Sequence, residues 1–265
     1  MDAGGRVTTA LSLGVVLTYL LVIVLLPIAA LLWETKKTGT QGFWSAVTNP
    51  EAIGTLKTTF AAAFIVVAIQ AVTGTITAWV LVRDDFRGKS FVNAVIDLPF
   101  ALPTIVTGLT LLTLYGNFSP VGLHIAYTRA SVVLALCVVT LPFVVRTVQP
   151  VLLELDTEME QAARSLGAGN FTVFRKIVLP NLLPGIISGC VLALARALGE
   201  IGAVVIFTGS LPYRTEVSSV YIYKQIQDYN EAAAASVAVV LLVAAFVLLL
   251  AFGAIRRYFT RHERA

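Results

Sequence analysis

The chain has 265 residues, of which 57% are hydrophobic and only 13% charged, about half the roughly 25% of an ordinary soluble domain. With a mean hydropathy of +0.86, too few charges remain to coat a water-facing surface, which excludes a soluble enzyme, a disordered chain and a disulfide scaffold. The net charge of +4 gains meaning only when its basic residues are placed against the apolar runs.

A bilayer core about 30 Å thick needs about 20 apolar residues of helix, and six runs approach or exceed that length: 11–33, 58–82, 91–115, 131–148, 185–207 and 232–255. They predict one all-α transmembrane domain over 1–265 with six spans, lying in a lipid membrane. The first run exceeds the roughly 7–15-residue core of a cleavable signal, is preceded only by Arg6, and lacks a small-residue cleavage site, so it reads as a retained helix. Short-loop Lys and Arg then set the orientation. With the N-terminus inside, 12 basic residues face the cytoplasm (Arg6, Arg83, Arg87, Lys89, Arg146, Arg164, Arg175, Lys176, Arg256, Arg257, Arg261, Arg264). Six face out (Lys36, Lys37, Lys57, Arg129, Arg214, Lys224), and Arg196 falls within a span. Both termini are therefore expected to be cytoplasmic, and the basic excess signals topology, with no nucleic-acid partner. Cys137 and Cys190 lie inside apolar runs, and His124 and His262 are far apart without Cys or acidic partners, so neither a disulfide nor a metal centre is expected.

The cytoplasmic loop at about 150–184 is punctuated like structure. Thr157-x-x-Glu160 has capping-box spacing and predicts a helix through Met159, Ala162, Ala163 and Leu166 to Gly167, a left-handed terminator. Asn170 is expected to cap a second short helix, 171–179, stopped by Pro180. Helices this short need packing partners, as do Met159, Leu166, Phe171 and Phe174.

Gln161-Ala162-Ala163, three further positions, Gly167, nine further positions and Ile177-Val178-Leu179-Pro180 resemble the EAA signature of bacterial ABC importer permeases. One position departs: Gln161 stands where the pattern has Glu, with Glu160 just before it. In that family the EAA helix sits in a groove of the ATPase subunit, so the resemblance assigns Glu160, Gln161, Ala162, Ala163, Gly167, Ile177, Leu179 and Pro180 to an ATPase-coupling loop. Leu98-Pro99-Phe100-Ala101-Leu102-Pro103-Thr104, Leu211-Pro212, Thr215-Glu216-Val217 and Tyr229 leading into Ala232-Ala233-Ala234 extend the likeness to sulfate/thiosulfate permeases of the T-type. The resemblance implies a type I (MetI-like) architecture and a non-catalytic subunit of the bacterial inner membrane. Its implied partners are an ABC ATPase in two copies, a second homologous permease and an extracytoplasmic sulfate- or thiosulfate-binding protein. No cofactor belongs to this chain, ATP and magnesium being bound by the ATPase. Molybdate permeases share the loop and are the alternative.

Ionisable groups at membrane depth are costly and draw functional attention. Arg196 and Glu200 are four apart and read as an internal pair or a gate, and Asp97, two residues before Pro99, as an acceptor for backbone freed by the kink. Gly185, Gly189, Ala193 and Ala197 form a small-residue stripe facing either a sister subunit or the chain's own bundle. Pro99 and Pro103 suggest a broken third span in which Thr104 and Thr107 offer hydroxyls to a passing anion. Gly88-Lys89-Ser90 copies the end of a P-loop but follows an apolar helix and lacks the leading glycine. An ion-coupled secondary transporter would show two related halves with broken helices or membrane carboxylates; no inverted repeat is apparent. A membrane enzyme would need a nucleophile-base or metal constellation.

Overall fold

The computed structural model describes residues 3–37 and 39–261. His262 and Arg264, and the side chains of Arg6, Arg256 and Arg261, lie outside the described residues. All regular elements among those residues are helical. α1 (Ala3–Leu20) passes through a π turn (Leu21–Leu25) into α2 (Leu26–Lys37); α3 (Gly39–Val47) and α4 (Pro50–Arg83) follow. Next come α5 (Lys89–Ala101), α6 (Thr104–Tyr115), α7 (Arg129–Glu154) and the loop helices α8 (Thr157–Ser165) and α9 (Asn170–Val173). A second π turn (Phe174–Val178) leads into α10 (Leu179–Leu198), then α11 (Gly202–Thr208), α12 (Ser218–Gln227) and α13 (Glu231–Arg261).

Five stretches among the described residues are long and apolar enough to cross a bilayer: Ser12–Lys37, Pro50–Arg83, Arg129–Glu154, Asn170–Leu198 and Glu231–Ile255. The expected third span, 91–115, is broken, as its prolines suggested, into the pair α5 and α6, bent by 116°. Pro99 and Pro103 withdraw two amide donors, and Leu102 and Pro103 turn extended at the break. The pair still carries the chain from end to end. Lys89 follows the turn after Arg83, which touches α8, whereas Ile125 and Ala126 bond the Tyr115 carbonyl and Arg129 shares a cavity with Lys57 near the start of α4.

The core is built on α7, which packs against α4 and α10. Glycines allow the close approach: a Cβ on Gly189 would meet Val144 Cα at 2.7 Å, and one on Gly74 would meet the Val144 side chain. Gly185, Gly189, Ala193 and Ala197 are all buried, and Gly185 and Gly189 face α7, so the stripe packs within the chain's own bundle. Gln70 crosses from α4 to donate to the Cys137 carbonyl at 2.6 Å, next to Val138, whose carbonyl loses its helical donor at Pro142. By contrast, α1 and α2 bury no residue between 12 and 37, as expected of a helix solvated by lipid tails.

Candidate functional site

At one end of the bundle, α8 starts and stops by local chemistry. The residue that caps it is Asp156, whose carboxylate accepts from Glu158 N at 2.8 Å; Thr157, expected as the cap, is already helical. Asp has the shorter reach to the second amide, and its charge opposes the helix dipole. The helix ends as expected at Gly167, at φ +86°, with Ala168 N closing back on Ala163 O at 3.0 Å, a Schellman-type bond.

Glu160 is thereby freed from capping and turns inward. It is 5% exposed, and Arg83, the last residue of α4, donates to its Oε1 at 2.5 Å while Arg164 lies 3.6 Å from Oε2. The Arg83 guanidinium sits over the Trp79 ring at 5.4 Å, and Trp79 packs edge-on against Phe174 at 5.9 Å. These contacts fasten α8 and the following turn to the end of α4. Gln161, Ala162 and Gly167 are exposed and Ala163 half-buried. Leu153, Met159, Leu166 and Phe171 stand out as an apolar surface, Leu166 at 90% and Phe171 at 73% exposure.

The helix after Gly169 corrects two expectations. Asn170 makes no cap hydrogen bond; it is the first helical residue, and Gly169 precedes it. Pro180 does not stop the helix: Leu179 N bonds Phe174 O in a π turn, so Pro180 enters where the donors have been regrouped, and Asn170–Leu198 runs as one long stretch. Ile177 and Leu179 are half-buried in this segment and Pro180 is exposed.

The expected fifth span, 185–207, is also interrupted, at residues 199–201 between α10 and α11. Glu200 is 1% exposed. Its Oε1 accepts from Ala203 N at 2.9 Å, capping α11, and its Oε2 lies 2.6 Å from Arg196 Nη1. The two broken segments meet at their breaks: a Cβ on Gly202 would collide with Thr104 Oγ1 and Ile105 N, the latter at 2.7 Å, and one on Gly108 would meet Ala203 O at 2.8 Å. Thr104 is half-buried in that contact and Thr107 is buried.

The sequence model of the "Binding-protein-dependent transport system inner membrane component" family matches residues 70–264. This chain belongs to that family. The permease is 42% identical over 255 residues to the sulfate transport system permease protein CysT of Synechocystis, covering 94% of this chain and 89% of that one. It is 41% identical over 258 residues to the CysT of Salmonella typhimurium, covering 95% and 93%. Its fold matches a chain of a bacterial alginate ABC transporter crystallised with its pentasaccharide-bound periplasmic protein, with a TM-score of 0.80 and 17% identity over 96% of this chain and 95% of that one. A chain of the MetNI methionine ABC transporter matches at TM-score 0.62 and 22% identity over 78% and 95%. The permease is thus an all-α, multi-pass membrane protein of the ABC permease fold and a non-catalytic membrane component.

Two features of the permease escaped the sequence reading. Asp97 does not accept from freed backbone: Arg146 of α7 grips it at 2.7 Å through Nε and 2.5 Å through Nη2, while also donating to Asn93 O at 3.0 Å and Gln149 Oε1 at 2.6 Å. A free carboxylate at that depth demands a cation, and Arg146 is the only one in the 131–148 run, so the pair was within reach. At the other end Glu216 is buried, with Lys224 3.9 Å away and shared with Glu51 at 2.9 Å. Burial pushes the Glu216 carboxyl up to about 7, Lys224 partly offsetting it and Glu51 adding to it. No pattern in the sequence joins positions 51, 216 and 224.

Proposed function

We propose that this chain is the transmembrane permease subunit of an ATP-driven sulfate or thiosulfate importer in a bacterial inner membrane. The observation that carries the reading is near-full-length similarity to relatives named sulfate transport permeases, in a chain that also presents a fastened α8 with an exposed apolar surface. Both termini and α8 lie in the cytoplasm by the bias of Lys and Arg. Leu153, Met159, Leu166 and Phe171 are the surface that enters the ATPase, which is present in two copies and holds ATP and magnesium. A second permease of this fold completes the path, and an extracytoplasmic binding protein delivers the anion at the end opposite α8.

In this reading, ATP-driven closure of the ATPases displaces α8. Arg83–Glu160 and Trp79–Phe174 pass the displacement to α4, and the long Asn170–Leu198 helix passes it to the break at Glu200. There the two broken segments pack through Gly202 and Gly108, and Thr104 and Thr107 offer hydroxyls to the anion as the breaks part. Arg196–Glu200 holds the α10–α11 corner rigid.

Gly167 offers the test. Its φ of +86° is barred to proline, and its N–H donates to Arg164 O at 2.9 Å. Gly167→Pro is expected to insert normally yet lose ATP-driven uptake and co-purification of a P-loop ATPase; normal uptake by this variant would remove the loop assignment. Unchanged uptake in Thr104→Val and Thr107→Val would remove the pathway role of those hydroxyls.

A further inference from the structure

At the end opposite α8, residues 54–65 of α4, the first turn of α7 and the ring of Tyr213 enclose a half-open cavity of about 360 Å³ lined by Lys57, Thr58, Arg129 and Tyr213 over an apolar floor that includes Ala62 and Val132. Lys57 and Arg129 come from different helices, and neither is in an ion pair among the described residues. Glu51, the acid of α4, is engaged by Lys224 at 2.9 Å. Arg129 stands at the first position of α7, where the helix dipole disfavours a cation. Tyr213 closes the cavity in a left-handed conformation at φ +60°, seated where a Cβ on Gly54 would lie 3.4 Å from its ring. Both side chains are exposed at the mouth, their like charges repel each other beside the apolar floor, and among the described residues no carboxylate is in an ion pair with either.

We propose that this cavity binds a divalent tetrahedral oxyanion between Lys57 and Arg129. The choice of a divalent oxyanion rests on the function proposed above; the cationic character of the cavity does not. The same chemistry is offered by a free sulfate at the mouth of the path and by the phosphate of a lipid headgroup.

A cysteine at Ala61, which also lines the cavity, reports occupancy without transport. In the full complex in phosphatidylcholine nanodiscs, millimolar sulfate is expected to slow thiosulfonate labelling of Ala61→Cys by at least about threefold, chloride at equal ionic strength having little effect. The protection disappears in Lys57→Gln/Arg129→Gln and returns with Lys57→Arg/Arg129→Lys. Protection that instead requires phosphatidylglycerol in the disc, and is lost in the same double variant, identifies the headgroup as the source. Labelling indifferent to both sulfate and phosphatidylglycerol, or protection that survives the double variant, overturns the site. Failure of the wild-type complex to take up sulfate would count against the proposed substrate, while labelling still decides the cavity.

Discussion

Glu160 and Gln161 are neighbours with opposite surroundings: one is buried against Arg83, the other points into solvent. Removing one partner of a buried ion pair costs about 3–5 kcal/mol, a figure that the partial exposure of Arg83 lowers to about 1–3 kcal/mol. Glu160→Ala is therefore expected to retain membrane insertion but to lower thermal stability by several degrees and uptake by at least about tenfold. Gln161→Ala should change uptake by less than about threefold, since Gln161 makes no contact that fastens the loop. Melting curves and initial uptake rates of the two variants check this contrast. Glu216 supplies the pH dependence. Its folded value of about 7 lies above the ordinary 4.5, so the folded state holds the extra proton between these values. Stability then falls as pH rises from about 4.5 to 7 and levels off above, by at most about 3 kcal/mol. Glu216→Gln should flatten this dependence in thermal unfolding between pH 5 and pH 8. Arg164 stands at helix spacing from Glu160, but the Arg83–Glu160 and Lys224–Glu216 pairs were illegible in the sequence because these partners lie 77 and eight positions away on other elements.

The helices themselves were legible, because a run of 20 or more apolar residues has few alternatives in lipid. Their interruptions were less so. Pro27 and Pro180 each follow a π turn in which the preceding residue bonds five positions back, Leu26 to Leu21 and Leu179 to Phe174, so neither stops its helix. Pro103 does end one, because the neighbouring segment breaks beside it and the two breaks share backbone contacts at Gly202 and Thr104. Whether a proline bends, widens or breaks a helix is decided by what packs against it, which hydropathy does not encode. Gly202→Ala puts a methyl group against Ile105 N and Thr104 Oγ1. It is expected to cost about 1–3 kcal/mol, read as a lower unfolding temperature of the purified complex. Gly253→Ala, with nothing within 4 Å of its Cβ position, is the neutral control. Thr104→Ala should rescue Gly202→Ala only in part, since the backbone nitrogen of Ile105 remains in the way.

Over the whole molecule, the scarcity of charge explains why the chain resides in a membrane. Twelve of its 19 basic residues fall on the side that the Lys and Arg bias assigns to the cytoplasm. Of the ionisable groups in the expected spans, Asp97, Arg146, Arg196 and Glu200 are consumed in two internal pairs. Among the described residues these pairs leave no run of carboxylates along the bundle, and the function proposed above takes its driving force from a partner ATPase. The EAA resemblance is what pointed to that source in the sequence, and the fastened α8 is the part through which the proposed coupling would act. The most direct measurement is sulfate uptake into proteoliposomes holding this permease with its partner permease, ATPase and binding protein. Uptake is expected to require hydrolysable ATP inside the vesicle equivalent of the cytoplasm and to persist when a protonophore collapses the proton gradient; uptake that continues without ATP and stops with the protonophore would contradict the account.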